Sequence, residues 1–128
     1  MNTNPLIMTA LSNIGIPVQW MRYVGNETEY ITFNDSDNRP SFFGNNEELM
    51  DIAYVQVHFF TPNNPKSTAK KIRKKLRQAG FTYLSTTEIY EETTKLFHTI
   101  IEVMIEGISE TQRRAALEGS ALHYDTDC

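Results

Sequence analysis

Among the 128 residues of this chain, the three histidines His58, His98 and His123 are the side chains best able to move protons or bind metal. Imidazole titrates near neutral pH and is the commonest metal ligand. No two of these histidines, and no His–Cys pair, stand at a spacing that a metal site uses. His58 and His98 each fall inside a strand-like run, so cross-sheet neighbours, two partly buried sheet residues, are expected. The sole cysteine, Cys128, ends the chain. It can form no intrachain disulfide, and nothing near it would fix its position or lower its pKa. The run Asp35-Ser36-Asp37-Asn38-Arg39-Pro40 opens like a calcium loop with oxygen donors at alternate positions. It then fails, because Arg39 and Pro40 occupy the fifth and sixth positions, and Asn46 at the twelfth offers no bidentate carboxylate. There is no Gly-x-Ser-x-Gly elbow and no glycine-rich phosphate loop. Glu88, Glu91 and Glu92 read as solvated carboxylates in a charged turn. With no nucleophile, base or metal grouped together, the expectation is a protein that is not an enzyme and carries no cofactor.

The strongest signal is one of charge. Seven of the twelve Lys and Arg residues lie between Lys66 and Arg77 with no acid among them, although the net charge is −4. The acids gather elsewhere, at Asp35, Asp37, Glu47 and Glu48, around Glu88 to Glu92, and toward the C-terminus. Such a run is a solvated helix face, a surface for phosphates, or one half of a plus-to-minus contact between copies. Lys70, Arg73, Lys74 and Arg77 are its candidate contact residues. The alternative function it suggests is a nonspecific nucleic-acid-binding accessory protein using a helix over 65–79. Against that, no helix-turn-helix signature and no neighbouring aromatic platform is evident.

These residues need elements to hold them. Length fits one domain with a real core, and 40% hydrophobic with 22% charged residues is ordinary globular composition. No apolar run reaches the roughly 18–20 residues of a membrane span, and the N-terminus lacks a secretory pattern. A first helix is expected over 5–14, capped by Asn4, started by Pro5 and closed by Gly15, with Ile7, Ala10, Leu11 and Ile14 as its apolar stripe. Segments 18–23 and 30–34 read as a hairpin through Gly25-Asn26-Glu27-Thr28. Residues 35–48 read as a long polar loop holding Arg39, Phe42 and Phe43. Residues 50–60 form the clearest strand, with Ala53, Val55, Val57 and Phe59 on one face, and a cover on both faces from helices or a partner subunit is expected. The basic helix runs over 65–79, its buried stripe being Ala69, Ile72, Leu76 and Ala79, and Gly80 ends it. Short strands over 81–84 and 88–92, and a longer one over 96–105, follow. Ser109 and Gln112 fit the capping box of a short helix to about Leu117, and 119–128 look loosely held. The sum is an α+β fold: a single, mainly antiparallel sheet with two principal helices packed on it and a short C-terminal helix. Residues 1–107 would form the domain and 108–128 its tail.

The order of these phrases also carries a resemblance. Ile16-Pro17-Val18, then Tyr30-Ile31-Thr32-Phe33, then Val55-Gln56-Val57-His58-Phe59-Phe60 before a basic helix ending Ala79-Gly80-Phe81, resembles the tail-completion (tail-terminator) and related minor structural proteins of long-tailed phages and prophages. Tyr90-Glu91-Glu92-Thr93-Thr94-Lys95-Leu96-Phe97-His98 resembles the same group, so residues 5–107 are covered and those from Ile108 onward are not. The resemblance implies a virion subunit assembled in the bacterial cytoplasm. It implies a homo-oligomeric ring, commonly six copies, that caps the tail tube and meets the head connector, with no active site. Its partners would be the tail-tube and head-connector proteins, with possible transient proximity to DNA and no membrane. By the same analogy Arg39, Phe42 and Phe43 become candidate contacts to a neighbouring subunit or the tube.

Overall fold

The computed structural model describes residues 2–40 and 50–108. The chain runs α1 (Asn4–Ala10), β1 (Val18–Trp20), β2 (Tyr30–Pro40), β3 (Met50–Thr61), α2 (Lys66–Gln78), β4 (Thr82–Glu91) and β5 (Leu96–Ile108). The strands form one sheet in the order β1-β2-β3-β5-β4. Only β1 and β2 pair in parallel; the other three pairings are antiparallel. The fold is therefore α+β, with one mixed, mainly antiparallel sheet and two helices.

Both helices lie against one face, and period-two alternation in the strands decides which side chains meet them. Ala53, Val55, Val57 and Phe59 of β3 are fully buried there, beside Ile31 and Phe33 of β2 and Ile101 and Val103 of β5. Ile7 and Leu11 from the α1 segment and Ala69, Ile72 and Leu76 from α2 close the core from above. Each large apolar side chain so buried contributes roughly 1.5–3 kcal/mol. Thr3 anchors the start of α1 to the sheet, its hydroxyl donating to Asp35 at 2.8 Å.

Local chemistry sets the ends of α2. The side-chain oxygen of Asn64 accepts the Lys66 N–H at 3.0 Å, and Pro65 sits at the cap where its missing N–H costs nothing. At the other end Phe81 N–H donates to Leu76 C=O and Gly80 N–H to Arg77 C=O, each at 3.0 Å. That pair of bonds is a Schellman stop, which needs a left-handed residue, and Gly80 has φ +102°. Phe81 and Leu76 are both buried, as the motif's hydrophobic clasp requires.

Four expectations change. The first helix is shorter, ending at Ala10 before a turn, and the oxygen of Asn2, not that of Asn4, accepts a backbone N–H. The expected hairpin is a parallel pair instead. The side-chain amide of Gln19 bonds the backbone of Val24 in both directions (3.0 and 3.2 Å), and Met21 adopts φ 69°, so residues 21–29 double back along β1 and deliver β2 beside it. The polar stretch read as a loop from Asp35 is strand as far as Pro40, with a register shift between Asp35 and Asp37. The neighbouring backbone of β3 supplies partners that outweigh poor strand propensity. The two short strands after α2 are one strand, β4, kinked by a bulge between Tyr83 and Ser85. Phe42, Phe43 and the C-terminal helix and tail expected after Ile108 lie outside the described residues. Arg39 is described as a backbone position of β2 opposite Ile52.

Candidate functional site

The face of the sheet away from the helices carries the chemistry. Register places His58 of β3 opposite Thr32 and Ile100, and His98 of β5 opposite Phe60 and Ile89, so the two imidazoles are diagonal neighbours. His58 Nδ1 and His98 Nε2 are 2.8 Å apart and share one proton. His58 Nε2 faces Asn34 Oδ1 at 3.1 Å, and His98 Nδ1 faces Glu91 Oε2 at 3.2 Å. The cross-sheet pairing expected of the histidines is thus present, and it extends to a four-residue chain spanning β2, β3, β5 and β4.

A charged and a neutral proton arrangement each satisfy every atom of that chain. In one, Asn34 Oδ1 accepts from His58 Nε2–H, His58 Nδ1 accepts from His98 Nε2–H, and a second proton on His98 donates to Glu91. That arrangement makes His98 an imidazolium paired with the carboxylate. In the other, the Asn34 amide is turned, both rings are neutral, and every N–H points toward Glu91. Moving the shared proton of the charged arrangement across to His58 Nδ1 makes His58 the imidazolium instead. Only protons on both facing nitrogens are forbidden, because N–H would then oppose N–H across 2.8 Å. Burial pushes the pKa of His58 down, and the facing His98 pushes it further. Burial also lowers that of His98, while the charge of Glu91 and its hydrogen bond oppose the shift.

Beside the histidines runs an aromatic ladder. Tyr23 stacks on Tyr30 at 4.3 Å between ring centres, Tyr30 on Phe60 at 4.8 Å, and Phe60 on His98 at 4.1 Å. Burial raises the pKa of the Tyr30 phenol, assisted by the charge of Glu91 and by Tyr23. A second polar rung crosses lower down, where Gln56 donates to Glu102 at 2.9 Å. Chemically this face can relay a proton along a line. Its donors and acceptors face one another in series and converge on no common point, and no group of three or more His, Cys, Asp or Glu able to hold a metal occurs among the described residues.

The basic residues singled out from sequence are on the opposite side. Lys66, Lys70, Arg73 and Arg77 share one stripe of α2. The first three, with Ala69 and Glu88 of β4, line a shallow recess. Arg73 is half-buried, its guanidinium 5.6 Å from the ring centre of Tyr83. Lys74 joins Ser67, Lys70 and Lys71 around a second recess on the outer side of the helix. Three of the four residues, Lys70, Lys74 and Arg77, are exposed. Sequence reasoning missed the Tyr23–Tyr30–Phe60 ladder and the part played by Glu91. Tyr30, His58, Phe60 and His98 all carry even residue numbers, and alternation within each strand was the available signal; their diagonal contact needed the register.

No protein-family model matches this chain, and no curated protein does. Among solved structures the chain is similar to one in a structure titled "Virion of native gene transfer agent (GTA) particle". That match has a TM-score of 0.53 and 9% identity, and covers 80% of this chain and 84% of that one. At that identity the likeness is one of fold, and it extends over most of both chains.

Proposed function

We propose that this protein is a non-enzymatic structural subunit of a phage-like virion. More finely, it sits at the head–tail junction as an oligomeric ring that caps the tail tube and joins it to the head connector. The observation that carries the reading is the fold likeness to a chain of a gene transfer agent virion, because it spans four fifths of this chain and leaves little of that one unmatched. The order of sequence phrases that resembles tail-completion proteins supports the same reading. A site made of hydrogen bonds in series, on an open sheet face, suits a rigid scaffold better than turnover. In this reading the protein is assembled in the bacterial cytoplasm and resides in the virion.

The test is assembly. Native mass across a concentration series should give a defined oligomer, and electron microscopy should show rings, or caps on tubes of the tail-tube protein. A monomer at high concentration with no affinity for the tube protein would sink the reading.

The basic stripe of α2 favours one second reading, a nonspecific nucleic-acid-binding accessory protein. Single-strand binders combine a cationic groove with bases stacked on aromatic rings. Here the cations and the aromatic ladder lie on opposite faces of the sheet, and the rings already stack on each other. Glu substitutions at Lys70, Arg73, Lys74 and Arg77 should abolish a salt-sensitive DNA complex if one exists; no complex of the unsubstituted protein at low salt eliminates this reading.

A further inference from the structure

Apart from Leu6 and Met8 in α1, every exposed large apolar side chain among the described residues lies at an edge of the sheet. Tyr83, Leu84, Ile89 and Tyr90, each 39–45% exposed, belong to β4. Trp20, Met21 and Val24, at 57%, 56% and 66%, belong to β1 and the turn behind it. Patches at two opposite edges are the pattern of a surface that meets its own kind, since scattered single residues would show no such grouping.

The backbone agrees. β4 is the terminal strand on its side, ten residues long and exposed along nearly all of its length. Its sequence, TYLSTTEIYE, holds none of the Lys or Pro with which exposed edges are normally guarded. One bulge lies near its start, but from Ser85 to Glu91 its register with β5 is unbroken. The outward N–H and C=O groups of that stretch face no strand among the described residues. At the far edge β1 covers β2 only across Ile31, Thr32 and Phe33.

Charge decides how two such edges meet. Pairing β4 with β4 about a twofold axis would put both α2 helices on the same side of the joined sheet, flank to flank. Each carries seven cations and no acid, so that arrangement sets like charges together. The other edge presents the opposite sign on the helix side, where Glu29, just before β2, and Asp35 within it flank Ile31 and Phe33. Their only described side-chain partners are neutral hydroxyls, those of Thr61 and Thr3. Glu27, exposed, and Arg22, a cation, belong to the turn that leads into β2.

We propose that the β4 edge and α2 flank of one copy dock on the β1 edge of a second copy, head to tail. A heterologous contact of this kind closes into a ring when its rotation allows. The inference rests on the ring reading above and names the subunit contact within it.

The test uses the full chain in a Cys128→Ser background, with native mass measured alongside cross-linking by a short bis-maleimide. A protein carrying both Ile89→Cys and Val24→Cys should cross-link into a ladder, and either change alone should give no cross-linked product. A single-cysteine protein that cross-links to a dimer and stops would show a symmetric contact and overturn the proposal. No ladder from an oligomeric double variant would overturn the edge assignment while leaving the ring reading standing; a strictly monomeric native mass would overturn both. Separately, Ile89→Lys or Val24→Lys should reduce the native mass to that of one chain with the melting curve retained. Unchanged oligomers in both Lys variants would reject the contact.

Discussion

The two faces of the sheet are built from alternate residues of the same strands, yet they are held in different ways. On the helix side of β3, Ala53, Val55, Val57 and Phe59 are wholly buried, whereas Tyr54, Gln56, His58 and Phe60 on the other side are half-buried. The covered face gains from area removed from water, which is large and non-directional. The open face gains from oriented contacts, a stacked ladder and a proton-sharing chain, each worth less and each dependent on geometry. One strand can thus be a core element on one side and a titratable surface on the other.

The largest expected effect tests that contrast directly. Phe59→Ala should destabilise by about 3–5 kcal/mol, as buried aromatic truncations do. Phe60→Ala, its neighbour on the open face, should lose only about 1–2 kcal/mol, from one ladder rung and partial burial. Urea unfolding of both variants measures the difference, and equal losses would mean the open face is covered as fully as the helix side. A smaller effect of opposite sign belongs to Thr99, whose buried Oγ1 has no hydrogen-bond partner among the described residues. Thr99→Val keeps the shape and removes the unpaired hydroxyl, so stability should rise by about 1 kcal/mol; a loss would reveal a partner for that oxygen.

The open face alone should make folding pH-dependent near neutrality. Both imidazoles have folded pKa values below their ordinary one, so the unfolded chain binds more protons. Their contribution to stability is then full above about pH 6.5 and is lost as pH falls through that value toward the lower folded pKa values. The unfolding midpoint should drop between about pH 7 and 5, and the drop should shrink in a His58→Gln, His98→Gln double variant. An identical slope in that variant would assign the dependence to other groups. The smallest effect is expected at α2, where Lys70→Glu with Lys74→Glu should change stability by no more than about 0.5 kcal/mol, since both side chains are exposed. A larger loss would mean the stripe supports the fold itself.

How much could be read beforehand varies with how local the cause is. α2 was readable almost to the residue because Asn64, Pro65 and Gly80 act within a few positions of themselves. The inward faces of β3 and β5 were readable because alternation is a property of the strand alone. The parallel placement of β1 was not, since it turns on the Gln19 amide reaching Val24 and on β3 holding the other edge of β2. Residues Asp35 to Arg39 looked like a loop because their strand state is imposed by a neighbour and goes against their own propensity.

The candidate sites divide along the same line. By itself the sequence determined the one-signed helix and the membership of His58 and His98 in strong strands. Those features follow from composition and period. Only the tertiary structure decided that the two imidazoles share a proton, that Glu91 ends their chain, and that apolar residues collect at both sheet edges. Register, strand order and edge position depend on pairings between segments far apart in the chain, and a slip of one residue would turn every one of these side chains to the other face.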